Sequence, residues 1–202
     1  MFRLLKEASL RAIIIGLLER FRIFRKLHPL RTSKTENSEY CYSLWLRDLL
    51  RLNKIESDFF PNSVVELGPG DSIGVGIAAL LSGVKEYIAL DIHNYYNPDR
   101  NIQILDNILK LYENRAIFQN GNEYCPFPLS VISDERLKVT LSPARVEAIK
   151  KELLNPFSED NVMIKYYAPW SDPNVIPRNS IDLILSQCVL QSVSDLRNCY
   201  QA

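Results

Sequence analysis

The pattern of apolar and polar residues predicts alternating strands and helices from residue 62 onward. Ser63–Leu67 is a short apolar run rich in β-branched residues that stops at a glycine-rich turn, which is typical of a buried strand. Residues 73–82 then repeat apolar side chains at helical spacing until Gly83, and residues 87–91 form the next apolar run. Residues 98–113 give a second helical pattern. Strands and helices that alternate through short connections predict a parallel sheet covered by helices.

The remainder of this region predicts two further strands. Residues 114–160 interrupt the alternation and contain one predicted helix, with Ser142 as N-cap and Pro143 in the first position. Residues 161–167 predict a third strand. Residues 180–186 predict a fourth, which we expect to be fully buried apart from Asp182 near its start. A last helix is expected to begin near Ser186 and to run toward the C-terminus.

The first 60 residues predict two helices that precede the sheet. Residues 10–26 place apolar side chains on one helical face and basic side chains on the other. Residues 31–39 are polar and predict a linker, and the apolar pattern of residues 42–54 predicts a second helix. The chain therefore divides into a basic amphipathic helix (1–34), a linker with a helix (35–60), and an α/β domain (61–202) with an insertion at about 114–160.

Charge is distributed unevenly along the chain. The 202 residues carry 24 basic and 24 acidic side chains, and this balance argues against a nucleic-acid partner. Residues 1–34 nevertheless hold nine basic residues against two acidic ones, which gives +7 there and −7 elsewhere. Two partners suit such a helix: an anionic membrane surface contacted through residues 1–30, or the apolar surface of the domain or of a second subunit. We therefore also consider a homo-oligomer.

Cysteine usage and targeting features predict a cytoplasmic protein, peripheral at the membrane if its first helix binds lipid. The four cysteines show no C-x-x-C pair, so we expect reduced thiols and no metal site. The longest uncharged apolar run near the start, residues 12–18, would span about 10 Å as a helix, far short of the roughly 30 Å bilayer core. A signal peptide is not expected, because no cleavage site of small residues follows this run.

Candidate chemistry lies where the first two predicted strands end. In the turn E-L-G-P-G-D-S, Gly68 and Gly70 let the backbone approach a ligand closely. Asp71 and Ser72 are N-cap residue types, so we expect the helix to begin there and to offer free N–H groups. Asp91 ends the next strand, where a carboxylate can accept both hydroxyls of an adenosine ribose.

Two cofactor classes use this arrangement, and the turn favours one of them. A dinucleotide-binding turn requires a third glycine where Ile73 stands. Glu66 is also an acid poorly suited to sit beside a pyrophosphate. It suits a ligand that carries an amino group and a cationic centre, and S-adenosylmethionine has both.

These segments resemble the class I S-adenosylmethionine-dependent methyltransferases, in particular their methyltransferase-11-like small-molecule branch. The resemblance covers about residues 62–196 and is carried by V-V-E-L-G-P-G-D-S (64–72), A-L-D-I-H (89–93) and S-I-D-L-I-L-S-Q with V-L-Q-S-V (180–187 and 189–193). It implies a Rossmann-like three-layer α/β fold with a parallel sheet in the order 3-2-1-4, preceded here by the amphipathic helical extension. Gln191 and Ser192 replace the usual Glu and His, so neither is assigned a catalytic role.

The resemblance also implies S-adenosyl-L-methionine as cofactor and methyl transfer to a small-molecule, glycan or lipid-linked acceptor. Asp91 is then expected to hold the ribose and Glu66 to reach the methionine amino group, while Ile92 packs on adenine. The expected cofactor-binding residues are Glu66, Gly68, Pro69, Gly70, Asp91, Ile92, Ala168 and Ser186. No catalytic residue is assigned, because in-line displacement from an activated sulfonium mainly requires alignment of the acceptor.

Two alternative functions remain open at this point. The family's sheet has seven strands and four are counted here, so we expect a chain that is truncated or completed by a partner. Its fourth strand would then be an apolar edge. A non-catalytic remnant, or a cofactor-binding module completed by a partner, is the first alternative. An NAD-dependent oxidoreductase or epimerase is the second.

Overall fold

The computed structural model of the chain describes residues 34–170, 172–190 and Arg197. The predicted amphipathic helix lies outside these residues, and so does the predicted C-terminal helix after residue 190, apart from Arg197. The predicted start of that helix near Ser186 is wrong, because Ser186 is the last residue of a strand. Within the described part, no helix is both long enough and apolar enough to cross a membrane. The elements in chain order are α1 (Ser38–Ile55), β1 (Ser63–Leu67), α2 (Gly74–Ser82), β2 (Glu86–Leu90), α3 (Pro98–Glu113), β3 (Phe118–Asn120), β4 (Glu123–Cys125), α4 (Asp134–Thr140), α5 (Pro143–Leu154), β5 (Ile164–Tyr167), a 3-10 turn (Pro173–Val175) and β6 (Leu183–Ser186).

Four strands form a parallel sheet in the order β5-β2-β1-β6. The chain passes from β1 to β2 and β5 on one side and returns to β6 on the other, so the strand order reverses at β1. Leu67 pairs with Leu90 and with Ser186, and Leu90 pairs with Tyr167, so all four strands end on one line. This parallel sheet with its helices is a mixed α/β architecture compatible with a Rossmann-like fold.

Helix α2 is the central element of the core, and every one of its residues is buried. It lies on the face of the sheet that carries Val64, Tyr87 and Ile164, and it contacts α1, α3 and β2. Gly76 permits this approach, because a Cβ at that position would lie 2.3 Å from the Tyr87 ring. The opposite face carries Val65 and is covered by loop side chains, which include Trp170, Val175, Ile176 and Ile181.

Helix α1 belongs to the same core. Trp45 is fully buried and donates from Nε1 to Ser82 Oγ at 2.8 Å. The helix starts earlier than residue 42, because the Asn37 side chain accepts a hydrogen bond from Tyr40 N–H at 2.8 Å and caps it. The helix therefore takes up residues 38 and 39 of the predicted linker, and Thr35, which also lies in that segment, is only 6% exposed.

The insertion contains more structure than the single predicted helix. Helix α5 begins at Pro143 as predicted, although the Ser142 side chain makes no capping hydrogen bond. The hairpin β3–β4 and the helix α4 were not predicted. Three-residue strands and a seven-residue helix are too short for their periodicity to stand out in a sequence. Ser133, which caps α4 by accepting from Arg136 N–H, was the available local signal.

The edge strand β6 differs from its predicted burial. It begins at Leu183, and Ile184 is 62% exposed because β6 has a neighbouring strand on one side only within the described sheet. Asp182 lies just before the strand, and its Oδ2 accepts from the N–H groups of Asn62 and Ser63 at 2.7 and 3.0 Å. These bonds lower the pKa of Asp182 and fix the start of β6 beside the start of β1.

Strand β5 also begins later than predicted, at Ile164, because the Glu152 carboxylate accepts hydrogen bonds from the backbone where the strand begins. Glu152 is 8% exposed and accepts from the N–H groups of Val162, Met163 and Ile164 at 3.3, 2.9 and 2.8 Å. One side chain of α5 therefore fixes the entry of β5 into the sheet.

We expect Glu152→Ala to lower the free energy of unfolding by about 2–4 kcal/mol, because it leaves buried N–H groups without an acceptor. Glu147→Ala changes an exposed glutamate of the same helix and should shift it by less than about 0.5 kcal/mol. Urea denaturation of both variants measures the difference. Equal effects of the two substitutions would contradict this role of Glu152.

Candidate functional site

The carboxyl ends of the strands bring the predicted site residues to one edge of the sheet. Gly68 follows β1, Asp91 follows β2 and Ala168 follows β5. Hydrogen bonds continue beyond the strands, from Gly68 N–H to Leu90 O at 2.8 Å and from Asp91 N–H to Tyr167 O at 3.0 Å. The first residues after three neighbouring strands are therefore held in register by the sheet itself.

Residues 68–73, here called the glycine loop, require glycine at two positions. Gly68 and Gly70 have φ values of +63° and +77°, in the left-handed region that other residues rarely adopt. A Cβ at Gly68 would also lie 2.5 Å from Val189 Cγ2, so the segment after β6 packs directly on the loop backbone. This close contact of the loop backbone is with Val189, and the approach of the loop to a ligand stays a prediction.

Asp91 connects the ends of β1 and β2 through its carboxylate. Its Oδ2 accepts from Gly70 N–H at 3.3 Å and its Oδ1 accepts from His93 N–H at 3.2 Å. The residue is 5% exposed. A carboxylate offers about four lone-pair positions, so two backbone donors leave it able to accept further hydrogen bonds.

Glu66 lies beneath the glycine loop as a buried acid. It is 2% exposed, and the Tyr87 hydroxyl donates to its Oε2 at 2.5 Å. Burial raises the pKa of Glu66 to about 7. The hydrogen bond from Tyr87 opposes the shift, and the charges of Asp91 and Asp48 add to it. Near neutral pH this carboxyl group is therefore divided between its protonated and its charged form.

The start of α2 corrects the predicted N-cap. The helix begins at Gly74 rather than at Asp71 or Ser72, because the chain completes a turn at residues 70–71 first. Ile73 N–H donates to Asn101 Oδ1 and Gly74 N–H donates to Ser72 Oγ, both at 3.1 Å. These two N–H groups, which we expected to be free for a ligand, are satisfied by side chains of the chain itself.

The other predicted site residues lie along the same edge. Pro69 O accepts from Thr35 Oγ1 at 3.1 Å, and Ile92, directly after Asp91, is 68% exposed. Ala168 is partly buried and precedes the cis peptide bond to Pro169. Ser186 is the last residue of β6, and its buried Oγ has no hydrogen-bond partner among the described residues. The residues from Glu66 to Gly70 thus lie beside Asp91, with Ala168 directly after β5 and Ser186 at the end of β6.

The segment after β6 closes the side of the site next to α1. Gln187 donates from Nε2 to Asp48 Oδ2 at 3.3 Å, and Asp48 also pairs with Arg51 at 3.1 Å. Burial raises the pKa of Asp48, while the neighbouring arginines oppose that shift. Cys188 has a φ of +58°, an uncommon conformation for a non-glycine residue. Asp48 and Gln187 therefore bound the point where the strand order reverses.

Sequence reasoning missed the residues that shape the glycine loop from outside. The sequence did mark Asn101 as unusual, because it is a polar residue on the otherwise apolar face of α3. The buried residues of that face are Ile104, Leu105, Ile108 and Tyr112. Tyr87 gave only a strand signal, since its bond to Glu66 depends on the pairing of β1 with β2. Thr35 gave none, because it lies in a polar segment far from the loop in the sequence.

Comparison of the chain with protein-family models, curated proteins and solved structures gives no match.

We expect Glu66→Gln to stabilise the chain above pH 7. Folding raises the pKa of Glu66 from its ordinary value of 4.5 to about 7, so the folded state holds a proton that the unfolded state has lost between those pH values. The stability contributed by protonated Glu66 is full below pH 4.5 and falls as pH rises to 7, by roughly 3 kcal/mol. Glutamine removes this dependence.

Urea denaturation at pH 5 and pH 8 tests this expectation, with exposed Glu113→Gln as the control. The difference in unfolding free energy between Glu66→Gln and the wild type should grow from pH 5 to pH 8. A difference that is the same at both pH values would show that Glu66 does not titrate in this range.

Proposed function

We propose that the chain binds S-adenosylmethionine at the glycine loop and transfers its methyl group to a small-molecule, glycan or lipid-linked acceptor. The observation that carries the proposal is the pair of buried carboxyl groups, Glu66 on β1 and Asp91 directly after β2, beside a loop with two glycines at positive φ. Their position outside the carboxyl ends of a parallel sheet, where the strand order reverses, is the usual ligand position in such folds.

Asp91 has the geometry to hold a ribose. Gly70 N–H and His93 N–H fix both carboxylate oxygens, and their remaining lone pairs can accept the two ribose hydroxyls. Ile92 follows it with 68% exposure, and an exposed apolar side chain at this position suits the face of an adenine ring. Trp170 N–H donates to Asp91 O at 2.7 Å, so the segment after β5 borders the same place.

The electrostatics of the loop favour a cationic ligand over a pyrophosphate. Glu66 is close enough to Asp91 for their charges to interact, and a positive group beside them would stabilise both. A pyrophosphate would instead depend on free N–H groups at the start of α2, and those of Ile73 and Gly74 already have acceptors. This combination supports S-adenosylmethionine over NAD.

The chain's own part in methyl transfer is to bind and align. S-adenosylmethionine supplies, when bound, a methyl group on a sulfonium that needs no further activation. Glu66, the glycine loop and Asp91 would hold the cofactor, and the segment after β6 with Asp48 would border the acceptor. Alignment of this kind contributes roughly 7–11 kcal/mol in favourable cases.

Isothermal titration with S-adenosylmethionine, its demethylated product and NAD tests the proposal. We expect micromolar binding of the first two and none of NAD. Asp91→Ala should weaken binding by about 100-fold or more, because it removes a charged acceptor of two hydrogen bonds. Asp106→Ala removes an exposed acid from the middle of α3 and should leave binding unchanged.

Other results of the titration would support an alternative function or a different binding site. A folded chain that binds none of the three ligands would favour a remnant, or a module completed by a partner. Binding of NAD alone would favour an oxidoreductase or epimerase. If Asp106→Ala weakens binding as much as Asp91→Ala, the ligand does not depend on the site described above.

Binding should also depend on pH through Glu66. Because a cationic ligand favours the charged carboxylate, its affinity should rise by up to tenfold per pH unit below the pKa of about 7 and level off above it. Titration from pH 5.5 to 7.5 in two buffers of different ionisation enthalpy would show release of a proton below pH 7. Glu66→Gln should abolish both effects, and a pH dependence that persists in this variant would exclude Glu66 as its source.

A further inference from the structure

Thr35 lies against the glycine loop, although 34 residues separate it from Pro69. Its side chain is 6% exposed, and Oγ1 donates to Pro69 O at 3.1 Å and accepts from Ser72 N–H at 3.2 Å. These two groups stand at the ends of the four-residue turn 69–72, where a β-turn would bring a carbonyl and an N–H together. One hydroxyl group therefore bridges the turn that contains Gly70.

The carbonyl oxygen of Thr35 extends this contact to the start of α2. It accepts a short hydrogen bond from Ser72 Oγ and another from Cys41 Sγ, the latter at 3.2 Å. Ser72 Oγ in turn accepts from Gly74 N–H at 3.1 Å. A continuous set of hydrogen bonds thus runs from Thr35 through Ser72 to the first residue of the helix.

Thr35 is itself positioned by the hydrophobic core and not by the loop alone. Its bond to Cys41 ties it to the first turn of α1, and Asn37 caps that helix two residues further on. Cys41 is fully buried, and a Cβ at Gly74 would lie 2.5 Å from its Sγ, so the first turns of α1 and α2 are in close contact. The packing of α1 against α2 therefore fixes the position of the Thr35 oxygens.

We propose that Thr35 is a positioning residue that holds the glycine loop in its binding conformation before the ligand arrives. The ligand itself is that of the proposed function, on which this inference rests. The glycine loop, with its two glycines, would otherwise sample many backbone conformations. Ordering the loop in advance removes that entropy from the cost of binding. Thr35 acts through Pro69 and Ser72 and needs no contact with the ligand.

Three variants test the proposal. Thr35→Val keeps the shape of the side chain and removes both hydrogen bonds of its hydroxyl, whereas Thr35→Ser keeps the hydroxyl. Thr140→Val is the matched control, because Thr140 is also 6% exposed and its Oγ1 has no hydrogen-bond partner among the described residues. Amide hydrogen exchange by NMR at Ser72 and titration with S-adenosylmethionine are measured on each full chain, with thermal melting as a check of folding.

We expect Thr35→Val to speed exchange at Ser72 and to weaken binding by about tenfold or more, because two hydrogen bonds that order the loop are lost. Thr35→Ser and Thr140→Val should stay within about threefold of the wild type in both measurements. If Thr35→Val matches the wild type, or if Thr140→Val shows the same losses, the proposal is overturned.

Two further outcomes remain decisive. If the wild-type chain does not bind S-adenosylmethionine, the proposed function fails, while exchange at Ser72 still reports whether Thr35 orders the loop. If Thr35→Val does not fold, Ser72→Ala removes only the hydroxyl that donates to Thr35 O. Faster exchange at Gly74, together with weaker binding, is then expected in Ser72→Ala, and unchanged values would overturn the proposal.

Discussion

The contact of Gly76 with the Tyr87 ring is the constraint on which the site depends. It lets α2 lie directly on β2, and every residue of the helix is buried. The same contact leaves the Tyr87 hydroxyl beside Glu66 on the neighbouring strand. A larger residue at position 76 would move the helix, and with it both the glycine loop and the one phenol that bonds to the buried acid. Packing in the core and the chemistry of the site are therefore set together.

Glu66 is a point at which this arrangement lowers the stability of the folded chain. A buried carboxyl group with one hydroxyl donor is poorly compensated for the loss of water, and its raised pKa reflects that cost. Natural sequences accept such local conflicts mainly where function requires them. Asp182 and Glu152 provide a contrast, since each accepts several backbone N–H groups and serves the fold. Carboxyl groups of one chain thus take different roles according to their donors.

The sequence predicted the elements whose residues carry a complete local signal. Strands β1 and β2 and helix α3 matched their apolar runs, and the glycines and Asp91 were placed correctly at the strand ends. The hairpin was missed because each of its strands has only three residues. The bond of Ile73 to Asn101 at the start of α2 and the contacts of Thr35 join residues distant in the chain, so no local pattern could reveal them. The exposure of Ile184 likewise follows from its position at an edge, which an apolar run does not encode.

The position of Thr35 in the chain has a mechanical consequence. Thr35 directly follows the basic segment of residues 1–34 in the sequence. The chain therefore enters the domain through the residue that bridges the glycine loop. A shift of the backbone at residue 34 would reach Thr35 before it reached any helix or strand of the domain. The glycine loop is therefore the part of the domain that is bonded most directly to the point where the described chain begins.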